Sequence, residues 1–182
     1  VIVGHKSKLS VRCRVRGLEA HSSLAPRAVN AVEAAAKVIA RLSEMAAAKA
    51  KDGPFDEDYD VPHTTVHCGL VRGGTALNIV PADCFFEFEF RCLPADDGEA
   101  MLAEIQAYAH REIEPAMRAI DPNSGFSWEE MSKIPALDLA LDSEVITLVK
   151  SLAEANATSK VAFATEAGLF HDAGIPAVIC RP

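Results

Sequence analysis

The stretch Cys84-Phe85-Phe86-Glu87-Phe88-Glu89-Phe90-Arg91 alternates so cleanly that it sets the reading of the whole chain. Phe86, Phe88 and Phe90 fall on one side of an extended segment, and Glu87, Glu89 and Arg91 on the other. A period of two with large apolar groups on one side only marks a strand with one face on a core and one in water. Upstream, residues 8–16 repeat the pattern, with Leu9, Val11, Cys13 and Val15 opposed to Arg12, Arg14 and Arg16. Residues 64–71 and 125–131 read as two more strands, the latter with Phe126 and Trp128 on one side.

The intervening segments have helical spacing. Residues 27–51 place Ala28, Val32, Ala35, Ile39, Leu42 and Ala46 at steps of three and four, one stripe of a long helix. A second helix carries Met101, Leu102, Ile105, Ala109 and Ile113; Asp96 and Glu99 have capping-box spacing ahead of it, and Pro115 is expected to end it. The Gly53-Pro54 pair and the acids around it predict a solvated loop over 52–60. The order β-α-β-β-α-β predicts an α+β fold, a ferredoxin-like unit over residues 6–132 with a four-stranded antiparallel sheet and two helices on one face. Residues 135–182 read instead as an incomplete α/β segment: a helix (142–155), a strand (160–163), a helical turn (166–173) and a strand (177–180). These strands suit a parallel sheet covered on both faces, and they require partner strands from outside the chain.

Composition narrows the function. With 49% hydrophobic and 24% charged residues the 182-residue chain is neither disordered nor fibrous. No apolar run approaches the roughly 20 residues of a membrane-spanning helix. Eighteen basic against 26 acidic residues give a net charge of −8, which argues against nucleic acid or an anionic membrane as partner. The alternating Arg12, Arg14 and Arg16 read as a solvated sheet face or an anion site. The five cysteines are odd in number and scattered. Cys84 and Cys92 would be roughly 26 Å apart along one strand, so reduced thiols in a cytoplasmic protein are expected.

Common catalytic motifs are missing: there is no Gly-rich phosphate loop, H-E-x-x-H or G-x-S-x-G. His63 and His67 have the spacing of a helical metal pair, but Pro62 and the β-branched Thr64, Thr65 and Val66 favour a strand, where the rings stand roughly 13 Å apart and cannot share an ion. His21, among small neighbours between a strand and a long helix, is either an exposed residue beside a helix-initiating turn or a group that a ligand can approach. Residues 73–78 form a hairpin connection or present the Asn78 amide to a carboxylate. Arg91 pairs with Glu87 or Glu89, or with a ligand.

The string Val15-Arg16-Gly17-Leu18-Glu19-Ala20-His21-Ser22-Ser23, followed by Asn30-Ala31-Val32, resembles the dimerisation domain of the M20 metallopeptidase family. So do Gly73-Gly74-Thr75-Ala76-Leu77-Asn78-Ile79-Val80-Pro81 and the strand ending at Arg91. Thr165-Glu166-Ala167-Gly168 and Gly174-Ile175-Pro176 resemble that family's returning catalytic segment, so the resemblance covers nearly the whole chain. It implies a homodimeric amide hydrolase acting on a small N-acylated amino acid. Its catalytic α/β domain holds two divalent metal ions, zinc or cobalt, and is interrupted by a ferredoxin-like insert. The members resembled most remove acetyl from N-acetyl-ornithine. On that pattern the chain opens at the junction into the insert and stops at Arg181-Pro182, ahead of the last metal ligand. None of its residues is then a ligand, and alone it is inactive. His21 is implied to cross the dimer interface and stabilise the oxyanion in the partner's site. Asn78 and Arg91 are implied to grip the substrate carboxylate, and Thr165 and Glu166 to edge the site. A desuccinylase, an aminoacylase or a carboxypeptidase would use the same contacts. A free-standing ferredoxin-like dimerisation or ligand-sensing domain is the non-catalytic alternative.

Overall fold

Hydrogen bonding in the computed structural model, which describes residues 1–180, sorts the chain into two sheets and a short ribbon. In chain order the elements are β1 (Ile2–His5), β2 (Lys8–Arg16), β3 (Ala20–His21), α1 (Ala31–Asp52), β4 (Thr65–Gly73), β5 (Ile79–Val80), β6 (Asp83–Arg91), α2 (Gly98–Tyr108), α3 (Glu114–Ile120), β7 (Gly125–Ile134), β8 (Leu137–Asp138), α4 (Glu144–Leu152), β9 (Ser159–Val161) and α5 (Ala167–Asp172). The larger sheet runs β4-β6-β2-β7, antiparallel throughout. Its four strands therefore lie in the order second, third, first, fourth, and the α+β expectation of a split βαβ unit holds.

The period of two is the reason. Val11, Cys13, Phe86 and Phe90 are wholly buried, and Val15 and Phe88 nearly so. They pack against Ala31, Ala35, Val38 and Leu42 of α1 and against Met101, Ile105, Ala109 and Ile113 of the second helical segment. Each buried Phe contributes about 1.5–3 kcal/mol relative to exposure. The small alanines let α1 lie close on the sheet.

The helix boundaries differ from expectation. α1 starts at Ala31, because Asn30 is extended and its side chain accepts from the Val32 and Glu33 amides; a 3-10 turn, Ser22–Arg27, precedes it. The buried stripe is accordingly Ala31, Ala34, Ala35, Val38, Leu42 and Met45. Asp97, not Asp96, caps α2 by accepting from the Glu99 and Ala100 amides. Asp96 is engaged by Lys49 at 2.5 Å and by the Thr64 hydroxyl. Pro115 does not end the helix. A π turn at Ala109–Ile113 leads into α3, and Pro115 falls in the first turn of α3, where an amide proton is not needed. The acid-rich loop is not wholly solvated either, since Tyr59 is 3% exposed.

The smaller sheet is β8-β1-β9, with β1 parallel to β9 and antiparallel to β8. One partner strand expected from outside the chain is thus supplied by the chain's own first residues. Residues 177–180 form no strand; Ile179 makes a single bridge to Ile2. Leu148, Leu152, Leu169 and Phe170 are exposed on α4 and α5. The Arg181-Pro182 junction lies outside the described residues. Among those described, no helix is long and apolar enough to cross a membrane.

Candidate functional site

Where β2 ends, the chain makes a turn that only glycine allows. The Gly17 amide donates to the Ala82 carbonyl at 2.6 Å, and a Cβ at Gly17 would stand 2.1 Å from the Val29 carbonyl oxygen. Leu18 and Val29 then exchange two backbone hydrogen bonds, at 2.9 and 3.1 Å. This anchors β3, which pairs with β5 through Ala20↔Val80 and His21↔Ile79. One residue on, the Ser22 amide donates to the Asn78 carbonyl at 2.9 Å. Two sequence motifs more than fifty residues apart are thereby joined, and they present His21 and Asn78 side by side and exposed.

The imidazole is oriented locally. The Ser23 backbone N–H donates to His21 Nδ1 at 3.2 Å, and the Ser23 hydroxyl lies 2.9 Å from the same atom. With Nδ1 as acceptor, the neutral ring carries its proton on Nε2, which is left free to donate outward.

The other expected site residues lie elsewhere. Arg91 occupies the opposite end of β6, paired in register with Thr65, roughly 23 Å along the strand from Cys84. Its guanidinium forks onto Glu89, at 2.9 and 3.3 Å. Burial alone would raise the Glu89 pKa; the Arg91 fork and the Ser10 hydroxyl outweigh it and hold the carboxyl below its ordinary range. Thr165 and Glu166 immediately precede α5. The Thr165 hydroxyl accepts from the Ala167 amide at 3.2 Å, and Glu166 is exposed. The chain therefore brings His21 and Asn78 together, leaves Arg91 at the other end of β6, and sets Thr165 and Glu166 beside α5.

The expectation for the two other histidines agrees with the backbone: His67 lies within β4, and His63 bridges to Phe55 just before it. Among the described residues no three His, Cys, Asp or Glu side chains converge where a metal ion could sit, so these residues do not fit a metal centre.

The sequence did not disclose a second polar assembly, between the two sheets. Lys6 is fully buried, with its Nζ donating to the His63 carbonyl. Lys6 and Lys160 lie 5.7 and 5.5 Å from the centre of the Tyr59 ring. Lys160 binds Asp56 at 2.8 Å and Asp138 at 3.4 Å. Burial pushes the Tyr59 hydroxyl up to about 12. No local pattern links these residues, because each meets partners from distant segments. Ser23, likewise unforeseen, shows only as a hydroxyl two residues after a histidine.

Three comparisons bear on this geometry. The family model of the M20 peptidase dimerisation domain matches residues 3–117. An acetylornithine deacetylase from Myxococcus xanthus is 30% identical over 176 residues, covering 92% of this chain and 42% of that protein. One from Photorhabdus laumondii is 27% identical over 166 residues, with 91% and 41% covered. The chain thus spans about two-fifths of the length of these relatives. Among solved structures, aminopeptidase PepT from Bacillus cereus superimposes with a TM-score of 0.66 at 24% identity, over 96% of this chain and 43% of that one. A tripeptidase from Staphylococcus aureus gives 0.63 at 22% identity, with the same coverage. At these identities the structural likeness speaks for the fold.

Proposed function

The chain belongs to the M20 peptidase dimerisation-domain family, and from that premise we propose that the longer protein is a homodimeric, metal-dependent amide hydrolase that deacetylates N2-acetyl-L-ornithine. Residues 6–132 form its dimerisation unit, and residues 135–182, with β1, form part of the interrupted α/β domain. Two divalent ions, zinc or cobalt, would be held by parts of the longer protein outside this chain, and this chain alone is inactive. Free Cys13, Cys68, Cys84, Cys92 and Cys180 are in keeping with a reducing, cytoplasmic setting.

The observation that carries this reading is the fixed imidazole. When an amide carbonyl is attacked, negative charge builds on its oxygen, and a donor already aimed at that position lowers the barrier. The Ser23 amide holds His21 in the form that carries its proton on Nε2, which a donor to the partner's substrate needs. Asn78, tied to Ser22 across the ribbon, travels with it and offers an amide to the substrate carboxylate. Arg91, far from His21 and Asn78 within one chain, would serve that carboxylate from the opposite subunit, exchanging Glu89 for it, since a guanidinium fork suits either group. Thr165 and Glu166 line the edge of the site.

In the full-length protein, His21→Ala should lower kcat by roughly 10²–10³ with a much smaller rise in KM, because the lost hydrogen bond forms mainly in the transition state. Steady-state kinetics on N-acetyl-ornithine test this; an unchanged kcat removes His21 from the mechanism.

A further inference from the structure

The outer face of the larger sheet carries a groove of about 670 Å3 at the end where β2 finishes and β6 begins. Arg14, Arg16, Arg72, Arg118 and Phe85 line it. Strand register builds the site: Phe85 pairs with Arg14 on one side and Arg72 on the other. Neighbouring strands lie about 4.8 Å apart, so the Arg14 and Arg72 backbones flank Phe85 at a mutual distance of about 10 Å. Arg16, two residues after Arg14 on the same face, follows about 7 Å further along β2. The Arg12 and Arg14 guanidinium carbons stand 5.6 and 5.8 Å from the Phe85 ring centre.

The charge here is only partly neutralised. Three arginines elsewhere are closely paired, Arg12 with Glu87 at 2.6 Å, Arg41 with Glu104 at 2.8 Å and Arg91 with Glu89 at 2.9 Å, while Arg27 and Arg111 form no ion pair among the described residues. In the groove, Arg118 is taken by Glu114 at 3.0 Å, and Arg14 reaches Glu129 only at 3.6 Å. Arg16 and Arg72 form no ion pair within 4 Å among the described residues. Glu19 and Asp83 also line the groove, and Asp121 feels the charge of Arg16, so the acids temper the field. Of the residues that line the groove itself, four are arginines and two are acids, in a chain whose net charge is −8. Like charges gathered on one open face repel one another, and a counter-anion relieves the repulsion.

We propose that this groove binds a small multivalent oxyanion, carrying two or more carboxylate or phosphate groups, with Arg14, Arg16 and Arg72 as donors over a floor made by Phe85. The rigid guanidinium forks favour planar or tetrahedral oxyanions over a simple halide. The site lies at the far end of β6 from Arg91 and does not depend on the deacetylase reading.

Calorimetric titration of the 182-residue chain with citrate and with pyrophosphate, in low-chloride buffer, tests it. One of the two should bind at one site per chain, at least about tenfold more tightly than acetate. The tighter of the pair identifies carboxylate or phosphate as the preferred group. Arg16→Gln with Arg72→Gln should weaken that binding by about tenfold or more, while Arg41→Gln leaves it unchanged. Arg16→Lys with Arg72→Lys, which keeps charge and fold but removes the fork, should weaken it by roughly threefold or more. The proposal fails if neither anion binds at millimolar concentration. It fails equally if Arg41→Gln weakens binding as much as the groove pair does, or if the lysine pair binds at full strength.

Discussion

His5, the last residue of β1, and Lys6, which follows it, are both fully buried, and each meets burial differently. Lys6 keeps a hydrogen bond to a carbonyl and a ring beneath its ammonium, though burial still lowers its pKa. His5 donates from Nδ1 to the Lys6 carbonyl at 2.9 Å and leaves Nε2 without a partner. Burial is the main cause that pushes its imidazole pKa below the ordinary 6.5. The sign follows: between the two pKa values the unfolded chain holds the proton and the folded one does not, so stability rises with pH there. Stability should therefore drop as pH falls from about 6.5 towards the folded value, and level off below it. The carboxyls held low, Asp56, Glu89 and Asp121, lose their contribution further down, near pH 4 or about there and below. Urea midpoints measured from pH 7 to pH 5 should show the decline, and His5→Asn, which keeps a donor for the Lys6 carbonyl, should flatten it. An equal slope in the variant would clear His5 of the effect. Neither residue announces this in the sequence, because apart from the Lys6 carbonyl the groups that meet them, such as the His63 carbonyl and the Tyr59 ring, come from other segments.

α1 depends on its first residue's neighbour. Asn30 satisfies two amides that the helix itself cannot, so Asn30→Ala should cost about 1 kcal/mol and Asn30→Asp only a few tenths. Chemical denaturation of the two variants measures the difference, and equal stabilities would show that the cap is idle. At this scale the sequence is legible where periodicity and burial coincide. In β2 and β6 every second residue is buried, and the alternation marks both to within a residue or so. The start of α1 is less legible, because alanines supply little apolar contrast and Ala28, though buried, is an extended residue between the 3-10 turn and the helix. The four residues of β1 are all buried, so no alternation marks them as a strand. β3 and β5 have two residues each and are defined only by each other. That is why His21 and Asn78 could be picked out singly while their adjacency could not.

At the scale of the molecule, β4 is an outer strand of its sheet, kinked by a register shift between Cys68 and Leu70, with α1 packed beside it. Unpaired amides and carbonyls along such an edge invite a second copy. Light scattering should return twice the mass of one chain at micromolar concentration; a monomer at every concentration tested would exclude this edge as the dimer contact. The pairing of β1 with β9 brings Ile2 against Ser159, across almost the full length of the chain. At the usual 5–20 residues per second, about 8–30 s of synthesis separate the emergence of the two strands. The four-stranded sheet, complete at Ile134, can close during that wait. The smaller sheet is then begun first and finished last, because β1 waits for β9 while the larger sheet closes.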